Sequence, residues 1–145
     1  MKVAFACDHG GYISREAVLG YLKEKNIEVI DFGTFTEDSC DYPDYASKVC
    51  EKVVNNQVDK GILVCGTGIG MSIVANKFKG IRCAHVTDSF SAEMTRRHND
   101  SNVIALGARI SKIADIIEYI DIFLNTEFDG GRHLNRVNKI KEIEK

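Results

Sequence analysis

The sequence predicts an α/β protein in which a five-stranded parallel sheet lies between two layers of helices. Three observations carry that prediction. Short runs rich in apolar and β-branched residues recur along the chain. The segments between them repeat apolar residues at helical spacing. The two kinds of segment alternate strictly, and alternation builds a parallel sheet covered on both faces.

The first strand is KVAFAC, Lys2–Cys7. After it, Ile13, Ala17, Val18, Tyr21 and Leu22 fall on one helical stripe. The second strand is IEVIDF, Ile27–Phe32. Pro43, the single proline, suits the first turn of a helix over roughly Asp44 to Asn56, because a first turn leaves its N–H groups unbonded anyway. The third strand is GILVC, Gly61–Cys65, and a glycine turn leads from it into a helix. The fourth is IRCAHV, Ile81–Val86, with Asp88 expected to cap the helix that follows. The fifth is NVIAL, Asn102–Leu106. Ser111 is the expected cap of the next helix, whose stripe is Ile113, Ile116, Ile117, Ile120, Phe123 and Leu124. A charged C-terminal helix, from about residue 131, completes one domain over residues 1–145 and is expected to pack at a subunit interface. No repeat, low-complexity tract or linker interrupts the chain.

A length of 145 residues suits one sizeable core. The net charge of −2 argues against nucleic acid or an anionic membrane as partner, since such surfaces select basic footprints. No segment is long and apolar enough to span a bilayer. The N-terminal apolar run stops at Asp8, which suits a first strand rather than a signal peptide. Cys7, Cys40, Cys50, Cys65 and Cys83 are odd in number and form no CxxC pair. Free thiols in a reducing cytoplasm are expected.

Open parallel sheets bind ligands beyond the carboxyl ends of their strands, at the switch point. The first and third strands commonly lie side by side there. The first ends in CDHGG and the third in CGTGIG. Asp8, His9, Cys65 and Thr67 are therefore expected in one crevice. The fourth strand should deliver Thr87 and Asp88 to this rim, the fifth Gly107 and Arg109, and Phe32–Thr34 should lie close by. GTGIG is neither the dinucleotide fingerprint nor a Walker A loop. Its amides could hold an anion at a helix start, and a tight turn alone would need the same glycines. Cys65 ends a strand and begins a nest of donors that favours a thiolate, which could act as base or nucleophile. It could equally be a core thiol, as Cys50 and Cys83 are expected to be. Cys7 holds the same strand-end position, so position alone does not decide.

Two polar clusters remain, RRHND at Arg96–Asp100 and GGRHLNR at Gly130–Arg136. On a helix Arg132 and Arg136 share a face. They suit a phosphate, or form a solvated basic face. A helix leaving the rim at Ser89 travels on the order of 15 Å by His98, at 1.5 Å per residue. His98 is thus expected far from Cys65 of its own chain. It is either a surface histidine or the contribution of a partner subunit to a shared, two-fold symmetric site.

CDHGG, DFGT, DYPDYA, CGTGIGMSIVANK, GIRCA, RRHNDSNVIALGAR and GGRHLNRV occur in that order along nearly the whole chain. Together they resemble the ribose-5-phosphate isomerase B family. The resemblance implies a Rossmann-like three-layer sheet, a homodimer or tetramer with shared sites, and no metal or cofactor. It implies interconversion of ribose 5-phosphate and ribulose 5-phosphate through a cis-enediolate. Cys65 would be the base, and Thr67 would move protons at the oxygens. Backbone N–H groups across Gly66–Gly70, those of Gly66, Gly68, Ile69 and Gly70 among them, would form the oxyanion hole. His98, with Asp8 nearby, would open the furanose ring. His9, Arg109, Arg132 and Arg136 would hold the phosphate, and Tyr42 and Asn99 would contact the sugar. One branch of the family uses a later glutamate as base. That position here is Met71, which cannot take a proton, so the chain resembles the cysteine branch. Allose 6-phosphate and galactose 6-phosphate isomerases are the nearest rivals. A noncatalytic phosphosugar-binding module is the rival of another class. A phosphoacceptor receiver is disfavoured, because its third strand would end in aspartate rather than Cys65.

Overall fold

The chain, here a computed structural model describing residues 1–144, builds one sheet from β1 (Lys2–Cys7), β2 (Glu28–Asp31), β3 (Lys60–Cys65), β4 (Cys83–His85) and β5 (Val103–Gly107). The strand order is β2-β1-β3-β5-β4, and every neighbouring pair is parallel. β1 and β3 are adjacent, as a switch point between them requires. The helices are α1 (Arg15–Glu24), α2 (Tyr42–Val54), α3 (Ile69–Ala75), α4 (Ser89–Asn99), α5 (Ile113–Asn125) and α6 (Arg132–Ile143). No helix among the described residues is long and apolar enough to cross a membrane.

The period-two alternation of each strand sorts side chains into two cores. Val3, Phe5, Cys7, Ile62 and Val64 face α1 and α5, against Val18, Leu22, Ile116, Ile120 and Phe123. Ala4, Ala6, Leu63 and Cys65 face α2 and α3, against Val49, Cys50 and Met71. Small residues on this second face let α2 come close. A Cβ on Gly61 would lie 2.6 Å from a methyl of Val49. Burying a side chain the size of Phe5 contributes roughly 1.5–3 kcal/mol.

Local signals mostly act as expected. Pro43 sits in the first turn of α2, which starts two residues before the expected Asp44. The Asp88 carboxylate accepts the Ser91 N–H at 2.6 Å and caps α4. Two expectations fail. Ser111 is not the cap of α5, because Lys112 occupies that position and makes no side-chain cap. Ile13 is not on the buried stripe. It lies in a 3-10 turn, Tyr12–Ser14, that precedes α1, and it is 68% exposed. The turn rotates it off the face that Val18, Tyr21 and Leu22 present to the core.

Candidate active site

The ends of β1 and β3 fold flat against one another. Asp8, nearly buried, donates its N–H to the Val64 carbonyl at 3.2 Å. Its Oδ1 accepts the Gly11 N–H at 3.0 Å, which turns the chain sharply after His9. A Cβ on Gly10 would lie 2.9 Å from the Gly66 nitrogen, and Gly11 lies against the Val64 carbonyl with no room for one. These glycines set how close the two loops approach. β5 locks the other side: Ala108 N–H donates to the Cys65 carbonyl and Arg109 N–H to that of Gly66, both at 2.9 Å.

Cys65 lies in this junction, 4% exposed. Its Sγ accepts the Gly68 N–H at 3.1 Å. The sulfur of Cys7 does the opposite and faces the Thr34 carbonyl at 3.9 Å, which only a thiol can bond. Burial pushes Cys7 up to about 11, against the partial opposing pull of Arg15. Burial pushes Cys50 up to about 12 and raises Cys83 as well. Those three are packed thiols, whereas Cys65 has an amide aimed at its sulfur.

Around Cys65, the Thr67 Oγ1 accepts the Ile69 N–H at 3.2 Å. Gly68 and Ile69 spend their amides inside the loop, while those of Gly66 and Gly70 have no acceptor among the described residues. The Arg109 guanidinium crosses Gly66, 3.1 Å from where a Cβ would stand. The Tyr42 ring covers Gly70, 2.7 Å from the equivalent point. His9, half-buried, accepts the Cys40 N–H on Nδ1 at 3.2 Å, so its tautomer carries the proton on Nε2. Asp8, His9, Tyr42, Cys65, Thr67, Arg109 and the glycine loop thus share one rim.

His98, Asn99, Arg132 and Arg136 do not join them. α4 runs from the rim to the amino edge of the sheet, where Arg82, just before β4, donates to the carbonyls of Asn99 and Asp100. His98 stacks there on His133 of α6, ring centroids 4.3 Å apart and planes 10° from parallel. Arg132 and Arg136 are exposed on α6 and form no ion pair among the described residues. Thr87 and Asp88 reach the rim but are tied to helices, Thr87 through its carbonyl to Tyr119 and Asp88 as the α4 cap.

Among the described residues there is one metal-like grouping. His98, Asp129 and His133 hold potential ligand atoms within 4.8 Å of one another. Asp129 is already bound by Arg97 Nε at 3.2 and 3.3 Å. Burial, then His98, Arg132 and Arg136, hold the His133 imidazole below its ordinary value. That positive field suits an anion better than a cation. The sequence alone marks none of His133, Asp129, Cys40 and His85 as a site residue. His133 stands within the GGRHLNR motif, and His85 ends a strand at the rim. A cavity of about 690 Å³ lies away from Cys65, along the edge strand β4 and against α4 and α6.

An open parallel sheet with a thiol, a hydroxyl and unengaged amides beyond β1 and β3 defines a switch-point α/β enzyme without a nucleotide loop. The chain belongs to the ribose/galactose isomerase family, whose model matches residues 3–140. It is 46% identical over 143 residues to ribose-5-phosphate isomerase B of Escherichia coli, covering 99% of this chain and 96% of that one. A solved structure of Clostridium thermocellum ribose-5-phosphate isomerase B is 49% identical, with TM-score 0.97 over 99% of this chain and 97% of that one. The Mycoplasma genitalium enzyme, solved with bound ribulose-5-phosphate, is 39% identical, with TM-score 0.94 over 99% of this chain and 95% of that one.

Proposed function

We propose that this chain interconverts D-ribose 5-phosphate and D-ribulose 5-phosphate in the cytoplasm, with Cys65 as the general base. The observation that carries the reading is the Cys65 sulfur, held at the end of β3 as acceptor of the Gly68 N–H. In the open-chain aldose, the C2 hydrogen is acidified by the C1 carbonyl. The thiolate takes that proton, leaving a cis-enediolate, and returns it to C1. Thr67 Oγ1 carries a proton between the two oxygens. The amides of Gly66 and Gly70 face the developing oxyanion, where each preorganised donor contributes about 2.7–4 kcal/mol. The reaction moves protons only, and needs neither a redox group nor a metal.

The site is completed by a second copy of the chain. Ring opening needs an acid–base pair, and phosphate needs cations. His98, Asn99, Arg132 and Arg136 supply these at the opposite edge of the sheet, too far to reach Cys65 of their own subunit. A two-fold dimer brings one subunit's α4 and α6 to the other's rim. Exposed Phe90, Ile140 and Ile143 along the β4 groove support an apolar contact there, with α6 at the interface. His98 of the partner subunit, with Asp8 beside it, opens the furanose. His9 and Arg109 meet the phosphate together with the partner's Arg132 and Arg136, while Tyr42 and the partner's Asn99 hold the sugar.

The test is an isomerase assay on ribose 5-phosphate and allose 6-phosphate, with chelator, for wild type and Cys65→Ala. Wild type should turn over ribose 5-phosphate, and Cys65→Ala should lose about a hundredfold or more, as loss of a general base does. Near-normal turnover by the variant removes Cys65 as base. Faster turnover of allose 6-phosphate reassigns the substrate.

A further inference from the structure

We propose that His85 positions the catalytic thiol through the Thr67–Gly68 peptide. The inference rests on the reading of Cys65 as base. His85 ends the edge strand β4, and its Nε2 lies 2.7 Å from the Thr67 carbonyl oxygen. A carbonyl only accepts, so Nε2 carries the proton and donates it. The same peptide unit supplies the Gly68 N–H that the Cys65 sulfur accepts at 3.1 Å. This peptide is trans, so its carbonyl and N–H point in opposite directions. His85 grips one end of the unit and the thiol sits at the other.

Two effects follow. The grip fixes the rotation of the peptide plane, and with it the aim of the N–H at sulfur. It also polarises the amide, because hydrogen bonds in a chain strengthen one another. The fit is built around glycine. Gly68 has φ +84°, and a Cβ there would lie 2.8 Å from His85 Cδ2 and 2.9 Å from the Leu106 carbonyl carbon. The imidazole thus lies flush on the loop. His85 holds the loop through the Thr67 backbone carbonyl and makes no hydrogen bond to the sulfur, so it is a positioning residue and not a catalytic one.

The test compares kcat and KM on ribose 5-phosphate for wild type, His85→Leu, His85→Asn, His85→Gln and Cys65→Ala, with the Gly68 amide followed by NMR. Loss of one hydrogen bond should lower kcat about fivefold in His85→Leu, with KM within about twofold of wild type. Asparagine is too short to reach Thr67 and should be as slow as leucine. The glutamine amide stands where Nε2 did, and should recover most of the rate. The Gly68 amide proton should move upfield in the leucine variant and return in the glutamine variant. A merely structural role would not split glutamine from asparagine. Wild-type kcat in His85→Leu and His85→Asn, or equal slowing in all three variants, overturns the proposal. If Cys65→Ala keeps its turnover, the base reading fails instead, and the Gly68 resonance alone judges whether His85 holds the peptide.

Discussion

Replacing Gly68 by alanine puts a methyl where the fold has no space and φ is +84°. The left-handed backbone costs a residue with a Cβ roughly 1–2 kcal/mol. The methyl would meet the Leu106 carbonyl carbon at 2.9 Å, and that backbone is pinned in β5, so relief must come from the loop itself. Overpacking of this kind costs about 1–3 kcal/mol. The two together should destabilise the fold by about 2–5 kcal/mol, or roughly 6–15 °C in melting temperature for a chain of this size. Gly20 is the control. It lies exposed within α1 with nothing within 4 Å of a built Cβ. Alanine there should add about 0.5–1 kcal/mol, because glycine loses more backbone freedom on folding. Calorimetric melts at matched protein concentration give both numbers, since coupled association makes melting depend on concentration. A Gly68→Ala protein melting within a degree of wild type, or a Gly20→Ala protein melting below it, refutes the reasoning.

Two further outcomes follow from the cores and the cluster at the amino edge. Phe123 is fully buried in the core between the sheet and its α1/α5 layer, with the Arg96 guanidinium 5.8 Å from its ring centre. Phe123→Ala should therefore lose about 3–5 kcal/mol in urea unfolding, and a loss under 1 kcal/mol would contradict its place in the core. His133 is depressed below its ordinary 6.5, first by burial and then by His98, Arg132 and Arg136. The unfolded chain thus takes up a proton there more readily than the folded one. The neutral form's stability is full above pH 6.5 and is lost as the pH falls through 6.5 towards the lower folded value. Urea midpoints between pH 7.5 and 5.5 should fall more steeply for wild type than for His133→Gln, and equal slopes would remove His133 as the cause.

Much of this was legible because it is local. Strand positions follow from runs such as KVAFAC, which read as apolar in any context. The switch point follows from topology, and the CDHGG and CGTGIG ends meet there as expected. Ser111 misled because the cap position falls one residue later, at Lys112. Ile13 misled because a 3-10 turn breaks the helical phase before α1. The missing parts of the site are long-range. Nothing near His9 in sequence announces that Cys40 holds its ring. His85 looks like an ordinary strand residue until the fold lays it on Gly68. The loop amides looked equivalent in GTGIG, yet the Cys65 sulfur and Thr67 hydroxyl already engage two of them.

The central claim is a site built across two subunits, with the base on one and the ring-opening histidine on the other. Unfold Cys65→Ala and His98→Ala proteins together, refold the equimolar mixture, and assay ribose 5-phosphate isomerisation. Random pairing makes half the dimers mixed, and each mixed dimer holds one site with both intact groups and one with neither. The account predicts recovery of about a quarter of wild-type activity from two nearly inactive parents. No recovery beyond the parents' own activity, with mixed dimers shown to form, would contradict it.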